Sequence, residues 1–453
     1  MTTQTDPVTL SFDLLLKDLT VLTGDPTQPL ITDAAIGISG TQLAFIGKAA
    51  NLPNSYQAVR TLSLPDRVVT PGLVNVHTHA ILTMVRGVAE DLGFAPAYTP
   101  GIPHGHDVTP DEARALARLG ALEAMQFGST LINDTYVHAD LTMEAMAELG
   151  LRVYSCGRIH DVDFSGVADG IWTHHDSIGD KTLNDALELA QRWHGKFNGR
   201  TGVQLAAHAP DTCSDRFLKR IALAAAEYDL RVTTHLAQSK TEVAQIRRRS
   251  NMTPAELLEE VGLLNHRLTA AHCLYMTESD IARAGRAGIT VAHIPKGNAT
   301  GGTMAPTPQL RAAGAQLALG TDNMHADMVE VMRWALAIGR IQLGAVASDW
   351  QPADALQMAT LNGARAMGLE DKIGSLVVGK QADLVVFKFR RAHLTPAVNP
   401  LGNIVHVAQG RDIELVLVDG TVVVEGGTAT LVDAEKVRYE AKRAAQALWD
   451  RAS

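Results

Sequence analysis

The apolar and polar positions of the chain fall into two patterns. Near the N-terminus, "FDLLLKDLTVLTG" (12–24), "AAIGISGTQLAFIG" (34–47) and "RVVTPG" (67–72) alternate, with breaks at Gly, Pro and Asp. That period of two predicts short strands. The same pattern returns in "ADLVVFK" (382–388) and "IELVLVDGTVVVEGG" (413–427). Two β-rich ends around a different middle predict one small sheet domain built from both termini.

The middle carries almost wholly apolar runs: "VQLAAHA" (203–209), "RVTTHLA" (231–237), "LTAAHC" (268–273), "ITVAHI" (289–294) and "AQLALGTDN" (315–323). Helix starts fall along the same region. "VTPDEA" and "MTPAEL" place Thr109 and Thr253 as N-caps, Pro at the first helical position and Glu at the third, and Thr277 before "ESDI" is a further cap. Repeated βα units with strands apolar on both faces predict a buried parallel sheet, here a (β/α)8 barrel of the TIM type. Every strand of such a barrel ends on one rim, where active sites lie. The expected division is a composite β-sandwich from residues 1–68 with 374–430, a barrel from 69–373, and a C-terminal helix over 431–453. Val437, Ala441, Ala444 and Leu448 give that helix one apolar stripe.

Composition narrows the partners. The net charge is −9, and "RRR" at 247–249 is the longest basic run. Nucleic acid is therefore not an expected partner, since phosphates need a basic surface. Cys156, Cys213 and Cys273 are scattered and odd in number, which fits neither a disulfide framework nor a CxxC site and suits a reducing compartment. With no apolar leader and no run of membrane-spanning length, a cytoplasmic location away from membranes is expected.

The chemistry lies at the strand ends. "VNVHTHA" sets His77 and His79 two residues apart, on one side of a strand. His235, His272, His293 and Asp322 close later apolar runs. Six ligand-type side chains on one rim predict a metal site, and imidazoles with a carboxylate favour Zn²⁺ or Fe²⁺ over Mg²⁺ or Ca²⁺.

"VVTPGLVNVHTHA", "THLAQSKTEV", "AAHC", "VAHIP", "LGTDN" and "GSLVVGKQADLVVF" together resemble the amidohydrolase superfamily. Within it the chain is similar to the branch of methylthioadenosine/S-adenosylhomocysteine deaminases and triazine hydrolases, from about residue 12 to about residue 425. The resemblance implies a mononuclear metal centre with His77, His79, His235 and Asp322 as ligands. It also implies that Asp322 acts as general base, that His272 contacts the attacking water or substrate, and that the protein is a homodimer or larger. The expected reaction is hydrolysis of a C–N bond in a small heterocyclic substrate, deamination above all.

The family pattern breaks at one position. The fifth-strand His is usually followed three residues later by an acid/base Glu, and here that residue is Gln238. Gln cannot exchange a proton at neutral pH, which points also to amide, carbamate or urea hydrolysis, or to dechlorination. Further candidate substrate contacts are His208, read on the approach to the fifth strand, and His325, the alternative for the latter being a surface loop histidine. Lys296 is read as a carboxylate clamp or an exposed loop lysine. Phe94 and Tyr98 are candidate stacking residues. Glu242, four residues past Gln238, is assigned to the following helix without a catalytic role.

Overall fold

The computed structural model describes residues 10–92 and 102–452, so Phe94 and Tyr98 lie outside the described residues. Eight parallel strands form a ring: β1 (Leu73–Thr78), β2 (Ser129–Tyr136), β3 (Arg152–Ile159), β4 (Leu205–Ala207), β5 (Val232–Leu236), β6 (Leu268–His272), β7 (Thr290–His293) and β8 (Gln316–Leu319). They pair in chain order, and a short strand, Thr201–Val203, also pairs with β3. Closure between β8 and β1 runs through Asp322 in the main chain, beside side-chain bonds between Asn75 and Thr321. The Asp322 N–H donates to the His77 carbonyl (2.9 Å), and the Asp322 carbonyl accepts from the His79 N–H (2.8 Å).

Strands β2 and β3 were not anticipated from the sequence. Their apolar runs are cut by Asn133, Asp134 and Thr135, or flanked by Arg152 and Arg158, yet every residue of β2 is buried. Several of these polar groups find buried partners: Asn133 donates to the Val76 carbonyl, Asp134 accepts from the Ala80 N–H, and Arg152 joins an internal ion pair.

The second sheet has nine strands and interleaves both ends of the chain. Leu10–Leu22 runs parallel to Arg67–Pro71, which pairs antiparallel with Leu384–Lys388. Alternation splits its residues between two cores: Val69, Leu384 and Val386 pack with Leu14 and Ile36, while Val68, Val385 and Phe387 pack against the barrel layer. Tyr56–Ser63, mostly exposed, is a strand that the sequence pattern does not reveal. At the hairpin after Val418, Asp419 (φ 53°) and Gly420 (φ 76°) both take positive φ, the type I′ requirement.

Thr109, Thr253 and Thr277 cap their helices, each in a reciprocal box with Glu112, Glu256 or Asp280. The terminal helix Ala434–Ala452 buries Val437, Ala441, Ala444 and Leu448, and Trp449 donates to the Met84 carbonyl (2.9 Å). No helix among the described residues is long and apolar enough to cross a membrane.

A buried ionic cluster ties the two sheets together. Arg152, at the start of β3, donates to both Asp383 oxygens (2.7 and 2.9 Å) and to Asp419 (2.9 Å). The Asp419 N–H donates to Asp383 as well (2.8 Å). Removing the cation strands two buried carboxylates. Arg152→Met should therefore cost about 3–5 kcal/mol in denaturant unfolding, and a loss below about 1 kcal/mol would contradict the network's role.

Candidate metal centre

His77 is the penultimate residue of β1 and His79 follows the strand, His235 lies in β5, His272 ends β6 and Asp322 follows β8. All five are buried. Their ligand atoms form two overlapping groups, His77–His79–His235 and His77–His272–Asp322, each within 4.8 Å. Asp322 Oδ1 lies 3.5 Å from His77 Nε2 and 3.3 Å from His79 Nε2. His293 belongs to neither group. Its ring nitrogens make no hydrogen bond among the described residues.

Backbone carbonyls orient two of the rings. His79 Nδ1 donates to Thr135 O and His235 Nδ1 to His208 O, both at 2.6 Å. This fixes the tautomers, so the two Nε2 lone pairs face each other across 3.4 Å. His77 is buried with neither nitrogen hydrogen-bonded among the described residues, and Asp322 Oδ2 is likewise unpaired there. Converging lone pairs and an acid in a dry setting repel one another unless a cation sits among them. The donor set, three imidazoles and one carboxylate, fits zinc-type coordination. Burial pushes His77 down to about 4 and His235 well below the usual imidazole range. Burial alone would raise Asp322, but the adjacent His77 and His79 rings hold it well below the usual carboxylate range.

The other predicted residues are placed as follows. His272 Nδ1 donates to Asn298 Oδ1 (3.0 Å), and burial lowers its pKa. Asn298 opens a glycosylation-like "NAT" in the sequence, yet it is 1% exposed and serves to orient His272. His208 follows β4, not the approach to β5; its Nδ1 bonds to Thr212 Oγ1 (2.9 Å) and its ring packs on His235 (5.2 Å) and Phe164 (5.5 Å). Gln238 is half-buried, and its carboxamide makes no hydrogen bond among the described residues. His325 is half-buried: both ring nitrogens are shielded and unpaired among the described residues, and burial pushes it down to about 4. Lys296 lies on the short helix Pro295–Thr300 and is paired with Glu330 (2.7 Å). Any clamp would have to displace that carboxylate. Glu242 is fully buried in the first turn of the helix Lys240–Ser250.

Arg158, near the end of β3, is a residue that sequence reasoning missed. It stacks over Tyr136 (4.2 Å). It also lines two spaces: one of about 10 Å³ bounded by His77, His208 and His235, and a cavity of about 570 Å³ walled by Tyr136, His138, His160, Phe164 and Arg192. A cation at that junction suits an anionic or hydrogen-bonding part of a ligand. The signal available was its place two residues before His160, at the close of an apolar run.

Comparison with known proteins agrees with this geometry. The model of the amidohydrolase family matches residues 68–423. A 5-methylthioadenosine/S-adenosylhomocysteine deaminase of Desulforudis audaxviator is 36% identical over 422 residues, covering 91% of this chain and 94% of that protein. The crystal structure of an adenosine deaminase from Xanthomonas campestris with bound zinc superposes with a TM-score of 0.88 at 27% identity, covering 97% and 99% of the two chains. The zinc complex of an atrazine chlorohydrolase from Arthrobacter aurescens shares the fold, with a TM-score of 0.84 at 22% identity over 95% of this chain and all of that one. The chain belongs to the amidohydrolase family. It is accordingly a hydrolase acting on carbon–nitrogen bonds other than peptide bonds.

Buried neutral histidines give the fold an acid-sensitive side. Burial holds His160 down at about 4 and His293 at about 3. The unfolded chain takes up these protons below about 6.5, whereas the folded chain resists until about 4 or lower. The unfolded state therefore binds more protons in that window, and stability falls as pH drops from about 6.5 towards 4. His160→Gln should flatten the pH slope of urea unfolding between pH 7 and pH 5 by up to about 1.4 kcal/mol per unit. An unchanged slope would contradict a neutral buried ring.

Proposed function

We propose that this chain hydrolytically deaminates a small amino-substituted heterocycle at a single divalent metal, zinc in preference to iron, held by His77, His79, His235 and Asp322. The observation that carries this reading is the convergence of three imidazoles and one carboxylate on the rim beside His272, in a chain whose relatives are named as deaminases of adenosine-type compounds. A bound divalent cation supplies Lewis acidity that brings a water's pKa towards about 7.

The residues then divide the work. Asp322 Oδ2, free of other hydrogen bonds among the described residues, takes the water proton as general base. His272, its Nδ1 spent on Asn298, offers Nε2 as a relay and, once protonated, as a donor to the developing oxyanion. Water adds to the ring carbon that carries the amine, the proton passes to that nitrogen, and ammonia leaves with an oxo group formed. In this reading His208, Gln238 and His325 hydrogen-bond the ring edge, and Arg158 meets the substrate's far end.

A second reading is favoured by Gln238. With no acid at this position, protonation of the leaving nitrogen falls to Asp322 and His272. An amide, carbamate or urea carbonyl, or a leaving group such as chloride that departs unprotonated, asks less of such a site.

A mass-spectrometric screen of metal-replete protein against aminoheterocycles, halotriazines, carbamates and ureas separates the two. Released ammonia supports the first, and a larger amine, an alcohol or halide supports the second. Asp322→Asn should lower turnover on the order of 10³-fold with circular dichroism unchanged; near-normal activity would reject its role as base. Gln238→Glu should not improve turnover of the native substrate, and a large gain on that substrate would show Gln238 to be merely tolerated.

A further inference from the structure

We infer that Glu242 is a positioning residue for Gln238, a role that rests on the reading of Gln238 as a substrate contact. The argument begins with an irregular helix start. In the helices capped by Thr109, Thr253 and Thr277, the acid at the third helical position reaches back to its own cap's N–H. Ser239 caps the helix Lys240–Ser250 and Glu242 holds that third position. Its carboxylate reaches further back. Oε1 accepts from the Ala237 N–H and Oε2 from the Gln238 N–H, each at 2.8 Å.

The loop so gripped is strained. Ala237 has φ 48°, a left-handed conformation that costs a residue with a Cβ about 1 kcal/mol. Its carbonyl accepts from the N–H groups of Leu274 and Tyr275, just past His272. Glu242 thus sets the path by which the chain leaves His235 and delivers the Gln238 side chain.

The cost of this arrangement argues that it serves the site. Glu242 has 0% exposure and forms no ion pair among the described residues. Asp211, buried near it after His208, raises its proton affinity further. A buried carboxylate without a cation is retained only where its hydrogen bonds repay desolvation. The strongest of these bonds here go to Ala237 and Gln238. Both N–H groups are spent in this way, so neither serves as an oxyanion donor, and that task stays with His272.

The test is a double-mutant cycle on the metal-replete enzyme, read as kcat and KM with metal content and unfolding midpoint in parallel. Glu242→Gln offers one acceptor and sets an amide NH2 against the second N–H. It should lower kcat/KM about tenfold with Gln238 present, and less than about twofold in a Gln238→Ala background. Equal losses in both backgrounds would reduce Glu242 to a structural role and overturn the inference. If Gln238→Ala alone changes nothing, the substrate contact itself fails and the inference falls with it. Should Glu242→Gln not fold, Glu242→Asp, which keeps the carboxyl group but shortens the reach, enters the same cycle with the same two readings.

Discussion

The site depends on how the barrel closes. Strands β8 and β1 are joined through the backbone of Asp322, which gives its N–H to His77 and takes the N–H of His79. Closure of the ring and assembly of the cluster are thereby one event. A carboxylate is delivered against two imidazoles by main-chain bonds that no side-chain rotamer can relax. The remaining ring of the first group, His235, is fixed by a main-chain carbonyl of the neighbouring strand end. Such a constellation is preorganised by the fold, and its cost is electrostatic: lone pairs and a charge face one another out of water, and a cation at their focus resolves the conflict.

The surroundings of this cluster set its chemistry. His77, His235 and His272 stay neutral because burial opposes their protonation, which suits the ligand and relay roles proposed for them. The carboxylate stays ionised, as a base must. Acidity is absent where the family usually supplies it, at position 238, and the nearest carboxyl in sequence, Glu242, is turned away to hold backbone. On the proposed reading, the chain keeps the metal half of a deaminase site and alters the proton-donating half. The same reading narrows the substrate to one whose leaving group Asp322 and His272 would serve.

Much of the fold was legible because its signals are local. The period-two alternation of 12–24 and 413–427, the three Thr caps and the stripe from Val437 to Leu448 each reflect contacts within one element. Strand ends marked by His77, His235, His272 and Asp322 were legible for the same reason, since an apolar run that stops at a ligand-type residue is visible in one dimension. β2 and β3 were not, because their polar residues are satisfied by distant partners: Val76 and Ala80 for Asn133 and Asp134, and Asp383 and Asp419 for Arg152. Asn298, Arg158 and the ion pair of Lys296 were hidden likewise: each owes its role to a neighbour more than twenty residues away. His325 looked equally suited to surface and site; its ring nitrogens prove shielded, by neighbours that the sequence does not bring next to it.

The most direct measurement is anomalous diffraction from crystals of metal-replete protein, collected on both sides of the zinc absorption edge. The account predicts one peak per chain, within about 2.0–2.2 Å of His77, His79 and His235 nitrogens and an Asp322 oxygen. A peak placed elsewhere, or none at these four side chains in an active sample, would contradict it.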